Sequence, residues 1–150
     1  MPVIDDLNLS PTTRVVTWKI NESLHDLESK VVLSKDSLKL LNQKKSEIHK
    51  KQFLAIRNIF KFLCFEDKDL KYDKAGKPIF SQNKRLSISH SGNYASVIIS
   101  DHNVGIDIEK ISNKTIKIKD KFLDIELNYP QELNNQRSLV YWNIKESIYK

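Results

Sequence analysis

Residues 44–63 carry Ile48, Phe53, Ile56, Phe60 and Leu63 at intervals of three to five. That spacing predicts one long helix with a single apolar face. Such a helix must bury its face against another layer, which limits the folds open to the chain. On a wheel, Arg57 falls inside that face, between Phe53 and Leu54, with Lys50 and Lys61 extending it into a basic stripe. An interior guanidinium needs an anion, and its planar fork suits a carboxylate and a phosphate equally well.

Around this helix the chain divides in texture. Residues 14–20 read as a strand, rich in β-branched and aromatic side chains. Asn21 or Ser23 caps a short helix through Leu24 and Leu27, and Ser34 caps another carrying Leu38, Leu40 and Leu41. Residues 72–78 read as a turn punctuated by Gly76 and Pro78. Beyond it, 86–90 and 94–100 read as strands joined by a tight turn at 91–93, and 106–109 as a further strand. Residues 135–150 read as a final helix with Tyr141, Ile144 and Ile148 as its core stripe. A helix-rich first half and a strand-rich second half predict an α+β fold with a seam near residues 81–85.

Several polar residues ask for more than a packed core. Asp107 and Glu109 stand two apart on an extended segment, so both carboxylates share a face opposite Ile106 and Ile108. Side-by-side carboxylates repel unless a cation lies between them, and hard oxygens suit magnesium. An exposed polar strand face is the alternative. Glu146 and Lys150, four apart, share a helix face as an ion pair or as site residues. Lys145 projects between Tyr141, Trp142 and Ile148, where it must snorkel or meet an anion. His90 ends a strand between Ser89 and Ser91 and suits a phosphate or a structural hydrogen bond. Ser89 and His90 point to opposite strand faces, so they are not a hydrolase pair.

The formal net charge of +6 and pI near 9.3 suit an anionic ligand, nucleic acid or acidic protein. The single cysteine, Cys64, lies among Phe62, Leu63 and Phe65, which predicts a buried thiol. Residues 1–10 lack a secretory pattern, and no apolar run nears the ~20 residues that span a bilayer, so a cytoplasmic protein is expected.

Four motifs follow in order: Gly76-Lys-Pro, Leu86-Ser-Ile-Ser-His-Ser, Val104-Gly-Ile-Asp-Ile-Glu and Trp142-Asn-Ile-Lys-Glu-Ser-Ile-Tyr-Lys. Together they resemble the 4′-phosphopantetheinyl transferase superfamily, in its longer, pseudo-twofold monomeric type. Residues 50–57 are similar to the arginine-ending helix of that family's first subdomain, and the resemblance spans about residues 44–150. It implies two related subdomains, 1–83 and 84–150, each a small antiparallel sheet on a long helix. Relatives of this type continue past the last motif, so the second subdomain is expected to be incomplete.

The resemblance further implies transfer of phosphopantetheine from coenzyme A to a serine of an apo acyl or peptidyl carrier protein. Asp107, Glu109 and Glu146 would ligate Mg²⁺. Arg57, Lys77, Ser89, His90, Lys145 and Lys150 would contact coenzyme A. Glu146 and Lys150 would act in catalysis. No membrane or nucleic-acid partner is expected. One rival is a degenerate relative that binds coenzyme A without turnover. Another is a nucleic-acid-binding module using the basic 44–61 helix, which leaves Asp107, Glu109 and Glu146 without a purpose, since carboxylates repel phosphate backbones.

Overall fold

The computed structural model describes residues 2–111, 117, 121–123 and 134–149. Strands β1 (Val3–Ser10) and β2 (Thr13–Lys19) open the chain as a hairpin. Three helices follow: α1 (Leu24–Ser29), α2 (Lys35–Gln43) and α3 (Glu47–Phe62). A 3₁₀ turn (Asp67–Asp69) leads into a small hairpin of β3 (Leu70–Tyr72) and β4 (Pro78–Phe80). Strands β5 (Arg85–Ser91) and β6 (Tyr94–Ser100) form another hairpin, and helix α4 (Asn135–Tyr149) is the last described element. The fold is α+β. Its antiparallel sheet has the order β1-β2-β6-β5, taking two strands from each side of residue 83.

Serines start each of the first three helices. The hydroxyls of Ser23, Ser34 and Ser46 accept from the backbone N–H three residues on, satisfying donors that the first helical turn leaves open. Ser23, rather than Asn21, is the cap of α1, and its partner Asp26 completes a capping box. The long helix begins behind Ser46, slightly later than residue 44.

Its end corrects one expectation. Phe65 N–H bonds to Phe60 O and Cys64 N–H to Lys61 O, closing a Schellman turn. Cys64 takes the left-handed position with φ 63 and is exposed. The turn swings its thiol outward, while its neighbours Phe62, Leu63 and Phe65 pack against the core.

The face of α3 lies across β2 and β6. Leu54, Ile59 and Phe60 are fully buried with Val16 and Val97. Phe80 meets Phe60 and Phe65 edge-on, with the Phe60 and Phe80 ring centres 5.6 Å apart. The opposite sheet face carries hydroxyls: Thr17 Oγ1 lies 2.8 Å from Ser96 Oγ, and Thr13 Oγ1 lies 2.7 Å from Ser100 Oγ.

Two further expectations change. Residues 106–109 lie extended along β5 but form no backbone ladder and no strand. In α4, Ile144 and Ile148 are exposed at 50% and 81%, so they are not a core stripe. The helix instead buries Ser138 and Leu139, and Trp142 is half-buried on the Leu139 side. Among the described residues, no helix is long and apolar enough to cross a membrane.

Phe60 is the largest fully buried side chain in this core. Phe60→Ala is expected to cost about 3–5 kcal/mol, the usual range for emptying a buried aromatic site. Urea unfolding followed by circular dichroism measures it, and a loss below about 1 kcal/mol would place Phe60 outside the cooperative core.

Candidate functional site

Segment 105–110 runs beside the free edge of β5, and its hydrogen bonds go to side chains. The hydroxyls of Ser87, Ser89 and Ser91 accept from the N–H groups of Ile106, Ile108 and Lys110 at 3.2, 3.2 and 3.3 Å. Serines two apart on a strand share one face, and so do N–H groups two apart on an extended chain. The two rows therefore match rung for rung. The Asp107 and Glu109 side chains both reach this serine row. Ser89 Oγ donates to Asp107 Oδ1 at 3.0 Å, and Ser91 Oγ donates to Glu109 Oε2 at 2.9 Å.

Helix α4 crosses this segment at Gly105. A Cβ built there would lie 1.7 Å from the Ser147 carbonyl oxygen, closer than any side chain can approach. The crossing brings Trp142, Asn143 and Glu146 towards the carboxylate segment. With its amide turned to donate, Asn143 reaches Asp107 Oδ2 at 3.1 Å and the Leu139 carbonyl at 3.3 Å. Trp142 meets Phe122 edge-on, with ring centres 5.1 Å apart.

A cavity of about 810 Å³ opens between α3, the 72–78 turn, β5, the carboxylate segment and α4. Ser89, His90, Asp107, Glu109 and Glu146 all line it. Lys44, His49 and Lys74 line it too, and Phe53, Ile56 and Tyr72 supply apolar wall. Residues from widely separated stretches thus share one concavity with acidic and basic groups together. An apolar wall with a few convergent polar groups is the usual build of a ligand pocket. Among the described residues, no three acidic, histidine or cysteine side chains already stand close enough to grip a metal ion.

The other expected residues stand elsewhere. Arg57 is one layer behind the cavity wall. Its Nε is 3.1 Å from Asp67 Oδ1, with side-chain exposures of 1% and 6%. Its guanidinium lies 4.6 Å from the Phe53 ring centre and 5.7 Å from that of Tyr72. The Asp67 carboxylate is the anion that stands beside it. Burial pushes its pKa below the ordinary value, opposed by Tyr72 and Asp67. Burial also raises the Tyr72 phenol, against the pull of Arg57. Lys77 lines a neighbouring cavity with Lys84, Arg85 and Ser147. Lys145 Nζ donates to the Phe122 carbonyl at 2.6 Å, so this lysine bridges to a backbone oxygen. Lys150 lies outside the described residues.

Sequence reasoning missed Lys44, His49, Asn143 and the serine row. Two signals were available. Ser87, Ser89 and Ser91 alternate in step with the segment carrying Asp107 and Glu109, and Asn143 sits three residues before Glu146 on one helix face.

A protein of Aneurinibacillus migulanus described as 4′-phosphopantetheinyl transferase gsp is 41% identical over 81 residues, covering 50% of this chain. The chain spans about a third of that relative, 34% of its length. No family model matches the chain. The similarity is thus to a phosphopantetheinyl transferase over half of the chain.

Gly105→Ala is expected to push α4 off the carboxylate segment, because the added methyl meets helix backbone rather than a movable side chain. A loss of at least about 1–3 kcal/mol should follow, as for other overpacked sites. Thermal unfolding of the variant measures it, and an unchanged midpoint would contradict the close crossing.

Proposed function

We propose that this chain carries the coenzyme A site of a 4′-phosphopantetheinyl transferase. The reaction would transfer the 4′-phosphopantetheine group to a serine of an apo acyl or peptidyl carrier protein. The observation that carries this reading is the shared cavity. Asp107, Glu109 and Glu146 line it together with Lys44, His49 and His90. Similarity to a named transferase over half of the chain supports the same reading.

The donor set suits magnesium, which takes a few carboxylates and completes its shell with water and substrate phosphate. A carboxylate offers roughly four lone-pair sites, so the bonds from Ser89 and Asn143 to Asp107 and from Ser91 and the Lys110 N–H to Glu109 are compatible with a cation on the same groups. Asp107, Glu109 and Glu146 would hold the ion. When bound, it would supply charge neutralisation at a diphosphate. Lys44, His49 and His90 would meet the phosphates of the nucleotide end, and Ser89 would adjoin them. Arg57 would act indirectly, by holding Phe53 and Tyr72 in the wall. Lys77 and Lys145 would contribute positive charge from the cavity's margins, and Lys150 would hold the reacting phosphate.

The chemistry needs little beyond position and charge. The carrier serine oxygen bonds to the β-phosphorus, the bond to the leaving phosphate oxygen breaks, and 3′,5′-ADP departs. The serine proton passes to Glu146, directly or through water. The surplus positive charge would steer an acidic carrier to the site. A cytoplasmic monomer with paired subdomains at 1–83 and 84–150 completes the proposal.

The test incubates the chain with coenzyme A, Mg²⁺ and an apo carrier protein and follows the carrier's mass. A phosphopantetheine gain on serine is expected. Asp107→Ala and Glu146→Ala should each cut the rate by on the order of 10²–10⁴-fold, with circular dichroism unchanged. Unaltered rates in either variant would remove the carboxylates from the chemistry. Coenzyme A binding without any transfer would favour the degenerate relative.

A further inference from the structure

The serine row does two jobs with one kind of side chain. A serine hydroxyl has one proton and two lone pairs. At Ser89 a lone pair takes the Ile108 N–H and the proton goes to Asp107. At Ser91 a lone pair takes the Lys110 N–H and the proton goes to Glu109 Oε2. Lys110 N–H also reaches Glu109 Oε2 at 3.2 Å, which closes a triangle of hydroxyl, amide and carboxylate. The Ser89 and Ser91 rungs thus set the path of the backbone and the orientation of the adjacent carboxylate at once.

We propose that Ser91 is a positioning residue for Glu109, presetting the orientation from which this carboxylate ligates a divalent cation. This rests on the reading above that Asp107 and Glu109 bind metal. Glu109 is exposed, and an exposed glutamate samples many rotamers. Ordering it at the moment of metal binding would cost conformational entropy, and a fixed hydroxyl lowers that cost in advance.

Ser91 is well placed to be the fixed partner. It is the last residue of β5 and pairs with Tyr94 across the hairpin. The next carbonyl, of Gly92, accepts from Gln52 Nε2 at 2.8 Å, and Gln52 is buried on α3. The hairpin end is therefore tied to the main helix, and the hydroxyl inherits that fixity. Ser91 does not line the 810 Å³ cavity, whereas Ser89 does. Removing the Ser91 hydroxyl therefore acts through Glu109, without deleting a wall of the ligand site.

The experiment uses the 150-residue chain and Mn²⁺ alone, without coenzyme A or carrier, and reads free Mn²⁺ by electron paramagnetic resonance. Ser91→Ala is expected to weaken Mn²⁺ binding by about 3- to 10-fold, the scale of one ordinary net hydrogen bond. Ser91→Thr keeps the hydroxyl and should restore binding. In metal-free protein, amide exchange at Lys110 should accelerate in Ser91→Ala and stay unchanged at Ile106.

Unchanged Mn²⁺ affinity in Ser91→Ala, alongside weakened binding in Glu109→Gln, would overturn the positioning role and leave the metal assignment standing. Weakened binding that threonine fails to restore would also overturn it. Mn²⁺ binding indifferent to Glu109→Gln would instead overturn the metal assignment beneath it.

Discussion

Burial of α3 against β2 and β6 is the constraint on which the remaining structure rests. Its inner residues, Leu54, Ile59 and Phe60, are lost to water entirely. Phe53 and Ile56 also form part of the cavity wall, so the same helix is both core and site. Arg57 stands between these roles. Its ion pair with Asp67 lies in a poorly solvated layer, where losing one partner would strand a charge. Asp67 also accepts from Ser34 N at 2.8 Å and Ser37 Oγ at 3.0 Å. One carboxylate thereby ties the start of α2, the 3₁₀ turn and α3 into a single block behind the wall.

On the far side of the cavity the construction differs. β5 is an edge of the sheet, and the segment beside it bonds through serine hydroxyls rather than a peptide ladder. Hydroxyl bonds set the side-chain direction of their partners as well as the backbone path. That suits a segment whose work is to present Asp107 and Glu109. The close crossing at Gly105 then lets α4 approach without an intervening side chain, which brings Glu146 to the same cavity. Asp107, Glu109 and Glu146 thus reach the walls of one cavity through one absent side chain and a row of small ones.

The sequence made the helical part of this architecture legible. The α3 period, the serine caps and the β5–β6 hairpin all follow from local rules that tertiary packing leaves intact. β1 escaped because Asp5, Asp6 and Asn8 hide the strand pattern, and its residues are nearly all exposed. The α4 stripe was misread because Ile144 and Ile148 look like core, while the helix is positioned by its crossing at Gly105. For the site, the shared direction of Asp107 and Glu109 came from period-2 geometry alone. The distant groups, Lys44 at the end of α2 and His49 in the first turn of α3, depend on how these helices lie over the sheet, and no spacing rule carries that information. The place of Arg57 on the apolar face shows that it needs an anion, while the Asp67 carboxylate beside it is visible only in the packing.

Cys64 has a practical consequence for anyone handling the protein. It is the single cysteine of these 150 residues, and it sits exposed on the Schellman turn beyond α3. A disulfide formed by these 150 residues therefore joins two molecules. Purification in the presence of a reductant would keep such cross-linked pairs from being mistaken for a native assembly, and a maleimide dye would mark each molecule at one defined point.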